Sequence, residues 1–137
     1  MTTPKITIST TTTASVERAW RAFTTPADIT RWNFANDDWC CPSAEVDLRV
    51  GGAYKARMEA KDKSFGFDFE AVYEEVEPHK ALTLLMGDGR RARTTFEAVG
   101  TETKVTTVFD AEAQNSLDMQ RSGWQAILDN FRRHIER

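Results

Sequence analysis

The sequence predicts an α+β fold of two layers, a curved antiparallel sheet wrapped on its apolar face around a long C-terminal helix. Three features predict it. From Glu45 to about Asp110 apolar and polar residues alternate, interrupted by turn signals at Gly51-Gly52, Lys61-Asp62-Lys63, Glu77-Pro78-His79, Gly87-Asp88-Gly89 and Gly100-Thr101. Gaps this short cannot hold the crossovers that parallel strands need, so the stretch is an antiparallel meander. It is preceded by one strand and two short helices and followed by an amphipathic segment from about Leu117 to the C-terminus. Helices on one side of a meander make a two-layer α+β domain.

In chain order, Lys5-Ile6-Thr7-Ile8-Ser9-Thr10 alternates apolar and polar residues with β-branching and reads as a half-buried strand. Val16, Ala19, Trp20 and Phe23 form one stripe of a helix that begins near Ser15. Thr25 as N-cap, Pro26 at the first helical position and Asp28 in the first turn start a second helix. In the meander Tyr54, Ala56 and Met58 oppose Lys55, Arg57 and Glu59. Phe65, Phe67, Phe69, Ala71 and Tyr73 likewise oppose Ser64, Gly66, Asp68 and Glu70. One face of the sheet is therefore apolar and aromatic, the other wet. Leu82, Leu84 and Met86, then Ala92, Thr94 and Phe96, then Val105, Thr107 and Phe109 continue the dry face, and Trp124, Ile127, Leu128, Phe131 and Ile135 form the stripe of the last helix that covers it.

Composition narrows the class of partner. A chain of 137 residues, 40% apolar and 28% charged, is expected to be one domain spanning 1–137. It is long enough to bury about 68–70% of its unfolded surface without disulfide or metal staples. Eighteen Lys+Arg against 21 Asp+Glu, a formal charge of -3, lack the basic excess of a nucleic-acid binder. The apolar runs fall far short of the ~20 residues a membrane span requires, and Met1-Thr2-Thr3-Pro4-Lys5 has no apolar leader core. A cytoplasmic location is expected, with Cys40 and Cys41 as reduced thiols, since adjacent cysteines strain a disulfide. His79 and His134 lie apart from each other and from the cysteines, so neither a metal nor a cofactor is expected.

No catalytic constellation is evident. Asp68 and Glu70 read as solvated partners of Lys55 and Arg57, Arg91 and Arg93 as the outward positions of a strand, and Gly51-Gly52 as a bulge or tight hairpin. What remains is the aromatic load of the dry face. Met58, Phe67, Phe69, Met86, Phe96, Trp124 and Leu128 supply apolar walls, Trp32 and Trp39 stand at the mouth in the connection between the second helix and the sheet, and Tyr54 orients a polar end. A filled core and a ligand cavity are equally compatible with this pattern.

The order of elements, β-α-α-β6-α, resembles the START-like or SRPBCC superfamily with its helix-grip fold, and within it the branch related to the C-terminal domain of the activator of Hsp90 ATPase. The residues that carry the resemblance are Ala14-Ser15-Val16-Glu17-Arg18-Ala19-Trp20, Phe23-Thr24-Thr25-Pro26 leading to Arg31-Trp32, and Asp47-Leu48-Arg49-Val50-Gly51-Gly52-Ala53-Tyr54. Further along, Glu74-Glu75-Val76-Glu77-Pro78 runs into Ala81-Leu82-Thr83, and Ser122-Gly123-Trp124-Gln125-Ala126-Ile127-Leu128-Asp129-Asn130 is similar to the family's helix motif. Where the family places a second proline in its turn, this chain has His79. The resemblance implies a deep apolar cavity between sheet and last helix, and a hydrophobic small molecule, aromatic, polyketide-like or acyl, as partner. It leaves open a cyclase or hydrolase that uses the same cavity. It also leaves open a stress or interaction module like the Hsp90 activator, with the loop Asn33-Phe34-Ala35-Asn36-Asp37-Asp38-Trp39 as its contact, and a homodimer.

Overall fold

The computed structural model describes residues 4–137; Met1, Thr2 and Thr3, the start of the segment read as lacking a leader core, lie outside the described residues. The chain runs β1 (Lys5–Thr12), α1 (Val16–Thr24), α2 (Pro26–Trp32), β2 (Trp39–Val46), β3 (Ala53–Ala60), β4 (Gly66–Glu77), β5 (Ala81–Met86), β6 (Arg91–Val99), β7 (Glu102–Asp110) and α3 (Leu117–Ile135). All seven strands form one antiparallel sheet in the order β1-β7-β6-β5-β4-β3-β2. Six consecutive strands each pair with the next, and β1 returns to pair with the last of them. This is the helix-grip architecture that the element order implies.

Both short helices begin as their sequences dictate. Ser15 accepts a hydrogen bond from the amide of Arg18 through its side chain, and Pro26 stands at the start of α2. Ala19, Ala22 and Ile29 are fully buried, so α1 and α2 lie flush against the sheet and α3. The longest helix, α3, is capped by Ser116, which accepts from Met119 N, and buries Leu128, Phe131 and Ile135. Phe131 is the pin of the helical layer. Its ring meets Phe23 of α1 and Trp32 of α2 edge to face, with centroids 5.3 and 5.1 Å away.

One end of the space between the layers is filled. Phe96 packs edge to face on Trp20 and Phe23 at 5.4 and 5.6 Å, and Phe23 stacks on Trp32 at 5.2 Å. On the outer face, Arg91 pairs with Glu74 at 2.6 Å and Arg93 with Glu75 at 2.9 Å, as the outward positions of the strand require. Asp68 meets Lys55 and Arg57 at 3.9 and 3.6 Å, whereas Glu70 has no such ion pair among the described residues and Arg57 takes Glu59 as its closer partner.

Three local features differ from the sequence reading. The second strand starts at Trp39 rather than near Glu45, because a register shift between Cys40 and Ser43 breaks the alternation that would have revealed it. Phe65 and Phe67, expected on the dry face, are 59% and 42% exposed, the first just before β4 and the second at its start. Phe34 packs against the core instead of standing free in its loop. The turn at Gly51-Gly52 is a tight one: a Cβ at Gly52 would stand 2.0 Å from the Asp47 carbonyl oxygen. Gly51 N and Gly52 O also bond to the backbone of Tyr73, which locks the β2–β3 connection onto β4. His79 adopts φ +65°, a conformation closed to the proline expected by resemblance.

Asp110 joins the sheet edge to its centre. Its carboxylate accepts from Lys5 Nζ of β1 and from the Arg91 amide of β6, and these partners, Lys5 first, hold its pKa below the usual carboxylate range. A depressed folded-state pKa stabilises fully above the unfolded value and is lost as pH falls through the folded one. Asp110→Asn is therefore expected to lower the melting temperature at pH 7 and to flatten its dependence on pH below about 4. For the helical pin, Phe131→Ala should cost about 3–5 kcal/mol in denaturant titration.

Candidate functional site

The other end of the interlayer space is hollow. A cavity of about 510 Å³ lies between the concave face of the sheet and α3, within the size range of small-molecule sites. Its floor consists of residues too small to reach the helix, among them Ala92, Thr94 and Thr107, with Ile8 beside them. The aliphatic and aromatic side chains stand around these. Trp124 of α3 lies flat on Phe109, with ring centroids 3.9 Å apart and 9° between the planes, so its position is set by the strand beneath.

Trp32, Tyr54, Met58, Phe67 and Phe69 line the cavity from α2, β3 and β4, and Trp124 and Leu128 line it from α3. Trp32 closes one wall while its Nε1 donates to the Ala22 carbonyl at 2.9 Å, which fixes the ring. Asn130 donates to the Trp32 carbonyl at 3.0 Å and thereby fastens α3 to the end of α2. Phe67, 42% exposed, and Met119, 65% exposed, mark the mouth.

Three residues expected at the site, Phe96 and Met86 in the walls and Trp39 at the mouth, are elsewhere. Phe96 is spent in the filled end, under α1, against Trp20 and Phe23. Met86, at the end of β5, is buried in the packed core and is not part of the lining. Trp39 begins an edge strand and meets Phe65 and Phe67 edge to face at 6.0 and 6.3 Å, outside the lining.

The polar rim escaped the sequence reading. Arg90, Glu112, Asn115 and Gln120 line the cavity together with Asn33. Arg90, Glu112 and Asn115 come from the β5–β6 turn and the β7–α3 connection, where no alternation or helical stripe assigns a direction to a side chain, whereas Gln120 lies on α3 four residues before Trp124 and so on the buried stripe of that helix. Gln120 is the organiser. Its Nε2 donates to the carbonyls of Glu112 and Asn115, and its Oε1 accepts from the Glu112 amide. The Glu112 carboxylate accepts from the amides of Asn115 and Gln114 at 2.7 and 3.2 Å. Those bonds, with Arg90 nearby, hold its pKa below the usual glutamate range. Arg90 itself places Nε on Asp88 at 2.7 Å. The two backbone amides thus favour the charged form of this carboxylate at the rim.

Inside, the polar groups are hydroxyls. Tyr54, 7% exposed, lines the cavity, and its hydroxyl has no protein hydrogen-bond partner among the described residues. Burial first, then the neighbouring Tyr73 and Cys41, push its pKa up, so it stays protonated and able to donate. Cys40 and Cys41 are both free thiols, and burial raises the pKa of Cys41, which keeps that thiol neutral. Among the described residues no cluster of His, Cys, Asp and Glu can hold a metal ion, and no helix is long and apolar enough to cross a membrane.

Comparison with known proteins gives consistent results. The sequence model of the activator of Hsp90 ATPase homolog 1-like proteins matches residues 13–136. The solution structure of an AHSA1-like protein from Aeromonas hydrophila is 40% identical, covers 96% of this chain and 92% of that one, and superposes with a TM-score of 0.87. A protein from Cytophaga hutchinsonii is 39% identical over 96% of this chain and 92% of its own, with a TM-score of 0.84. A Chromobacterium violaceum protein at 23% identity shares the fold, with a TM-score of 0.86 over 98% of this chain and 99% of that one. No curated protein matches the chain.

Gly123, on α3, borders the cavity with nothing within 4 Å of where a Cβ would be. Gly123→Ala is therefore expected to stabilise the helix by about 1 kcal/mol, read as a rise in melting temperature of about 3–5 °C.

Proposed function

The chain belongs to the family of activator of Hsp90 ATPase homolog 1-like proteins, and on that premise we propose that it binds an apolar small molecule between the sheet and α3. The observation that carries this reading is the cavity of about 510 Å³ itself, walled by aromatic and aliphatic side chains and open beside Phe67 and Met119. A hollow of this size forgoes dispersion contacts that larger side chains would supply, and a ligand restores them.

The roles follow from placement. Met58, Phe69, Trp124 and Leu128 form the walls, with Met58 adaptable through its thioether. Phe67 and Trp32 bound the mouth and one flank, and the Tyr54 hydroxyl orients a polar end. Trp39, Met86 and Phe96 support the neighbouring structure instead of touching the ligand. The setting is cytoplasmic in this proposal, in keeping with two free thiols.

Titration with Nile red, a neutral apolar dye, is expected to quench tryptophan fluorescence saturably while dye emission shifts to the blue. Trp124→Ala should weaken binding several-fold, and Gly123→Phe, which places a ring in the hollow, should abolish it while circular dichroism stays native. Dye binding unaffected by Gly123→Phe would refute the site.

A further inference from the structure

The floor of the cavity holds a polar pair in an apolar row. Along one line across the sheet, Ile8 of β1 opposes Thr107 of β7, Thr107 opposes Thr94 of β6, and Thr94 opposes Leu82 of β5. Thr94 and Thr107 are 2% and 4% exposed, both line the cavity, and their Oγ1 atoms lie 2.7 Å apart.

Hydrogen counting at this pair leaves a remainder. Two hydroxyls carry two hydrogens. One forms the mutual bond, whichever residue donates it. The other has no protein acceptor among the described residues, and the open space beside it is the cavity. A buried hydroxyl hydrogen without an acceptor costs free energy that a valine at the same position would avoid. The pair is thus a donor turned toward the occupant.

The charge of the occupant's acceptor is set by the surroundings. Arg90 is the cationic side chain that borders the cavity, and it stands at the rim, paired with Asp88 and close to the Glu112 carboxylate. A carboxylate or phosphate on the floor would be buried without a countercharge, whereas a carbonyl oxygen needs only the hydrogen that this pair offers.

We propose that Thr94 and Thr107 donate one hydrogen bond to a neutral carbonyl oxygen, so that the cavity selects an apolar ketone or ester over both the corresponding hydrocarbon and the corresponding acid. This rests on the ligand-binding reading of the same cavity and names the chemical class that it takes.

Three probes of one shape test it: 9-fluorenone, fluorene and fluorene-9-carboxylate, titrated by tryptophan fluorescence. The wild-type protein should bind fluorenone about 2- to 10-fold more tightly than fluorene, and the carboxylate most weakly. In Thr94→Val/Thr107→Val the preference for fluorenone should vanish while fluorene binds at least as well. The carbonyl stretch of bound fluorenone should lie at lower wavenumber than in hexane, a readout that needs no variant. Equal binding of fluorenone and fluorene, a preference that survives in a folded double variant, an unshifted carbonyl stretch or tightest binding of the carboxylate would overturn the inference and leave the cavity reading standing. Failure of all three probes to bind would overturn both.

Discussion

A mismatch of widths governs this molecule. Seven strands span about 29 Å across their hydrogen-bonding direction, whereas a helix with its side chains is about 10–12 Å thick. One long helix cannot cover such a face. The sheet curls toward α3, and α1 and α2 occupy part of the remaining width. How the space between the layers is filled then depends on the side chains that strands and helices supply. Phe96, Trp20 and Phe131 fill it at one end, and Ala92, Thr94 and Thr107 leave it empty at the other.

The division between filled and empty is maintained by anchors rather than by bulk. Phe131 pins α3 to both short helices, Asn130 ties it to the end of α2, and Gln120 folds the β7–α3 connection onto its first turns. Between these points α3 presents Gly123 and Trp124 to the hollow without being drawn into it. Trp124 leans on Phe109 and so keeps its ring against the strand.

Much of the fold was legible because alternation and helical stripes are direct consequences of burial on one face. Tyr54, Met58, Thr94, Phe109 and Leu128 all fall on the side that their spacing dictates. Legibility ended where periodicity did. The irregularity between Cys40 and Ser43 hid the start of β2 and misplaced Trp39 in a connection. Alternation also gives a residue's face but not its position along the strand, so Met86 and Phe96 share a face with the cavity without bordering it. Arg90, Glu112 and Asn115 on the rim were invisible for the same reason: turns and connections have no period, and hydrogen bonds such as those of Arg90 with Asp88 and of Glu112 with the amides of Gln114 and Asn115 fix them instead.

A sheet that stops short of closure has two bare borders, and each is treated differently. Along β1, α3 lies close enough for Gln125 to donate to the Ser9 carbonyl. The border at β2 carries the register irregularity and, within it, the exposed Pro42, which has no amide hydrogen to offer. A strand from another chain arriving there would meet an interrupted row of donors and acceptors. The irregular β2 border therefore works against the edge-to-edge strand pairing that an open sheet otherwise invites.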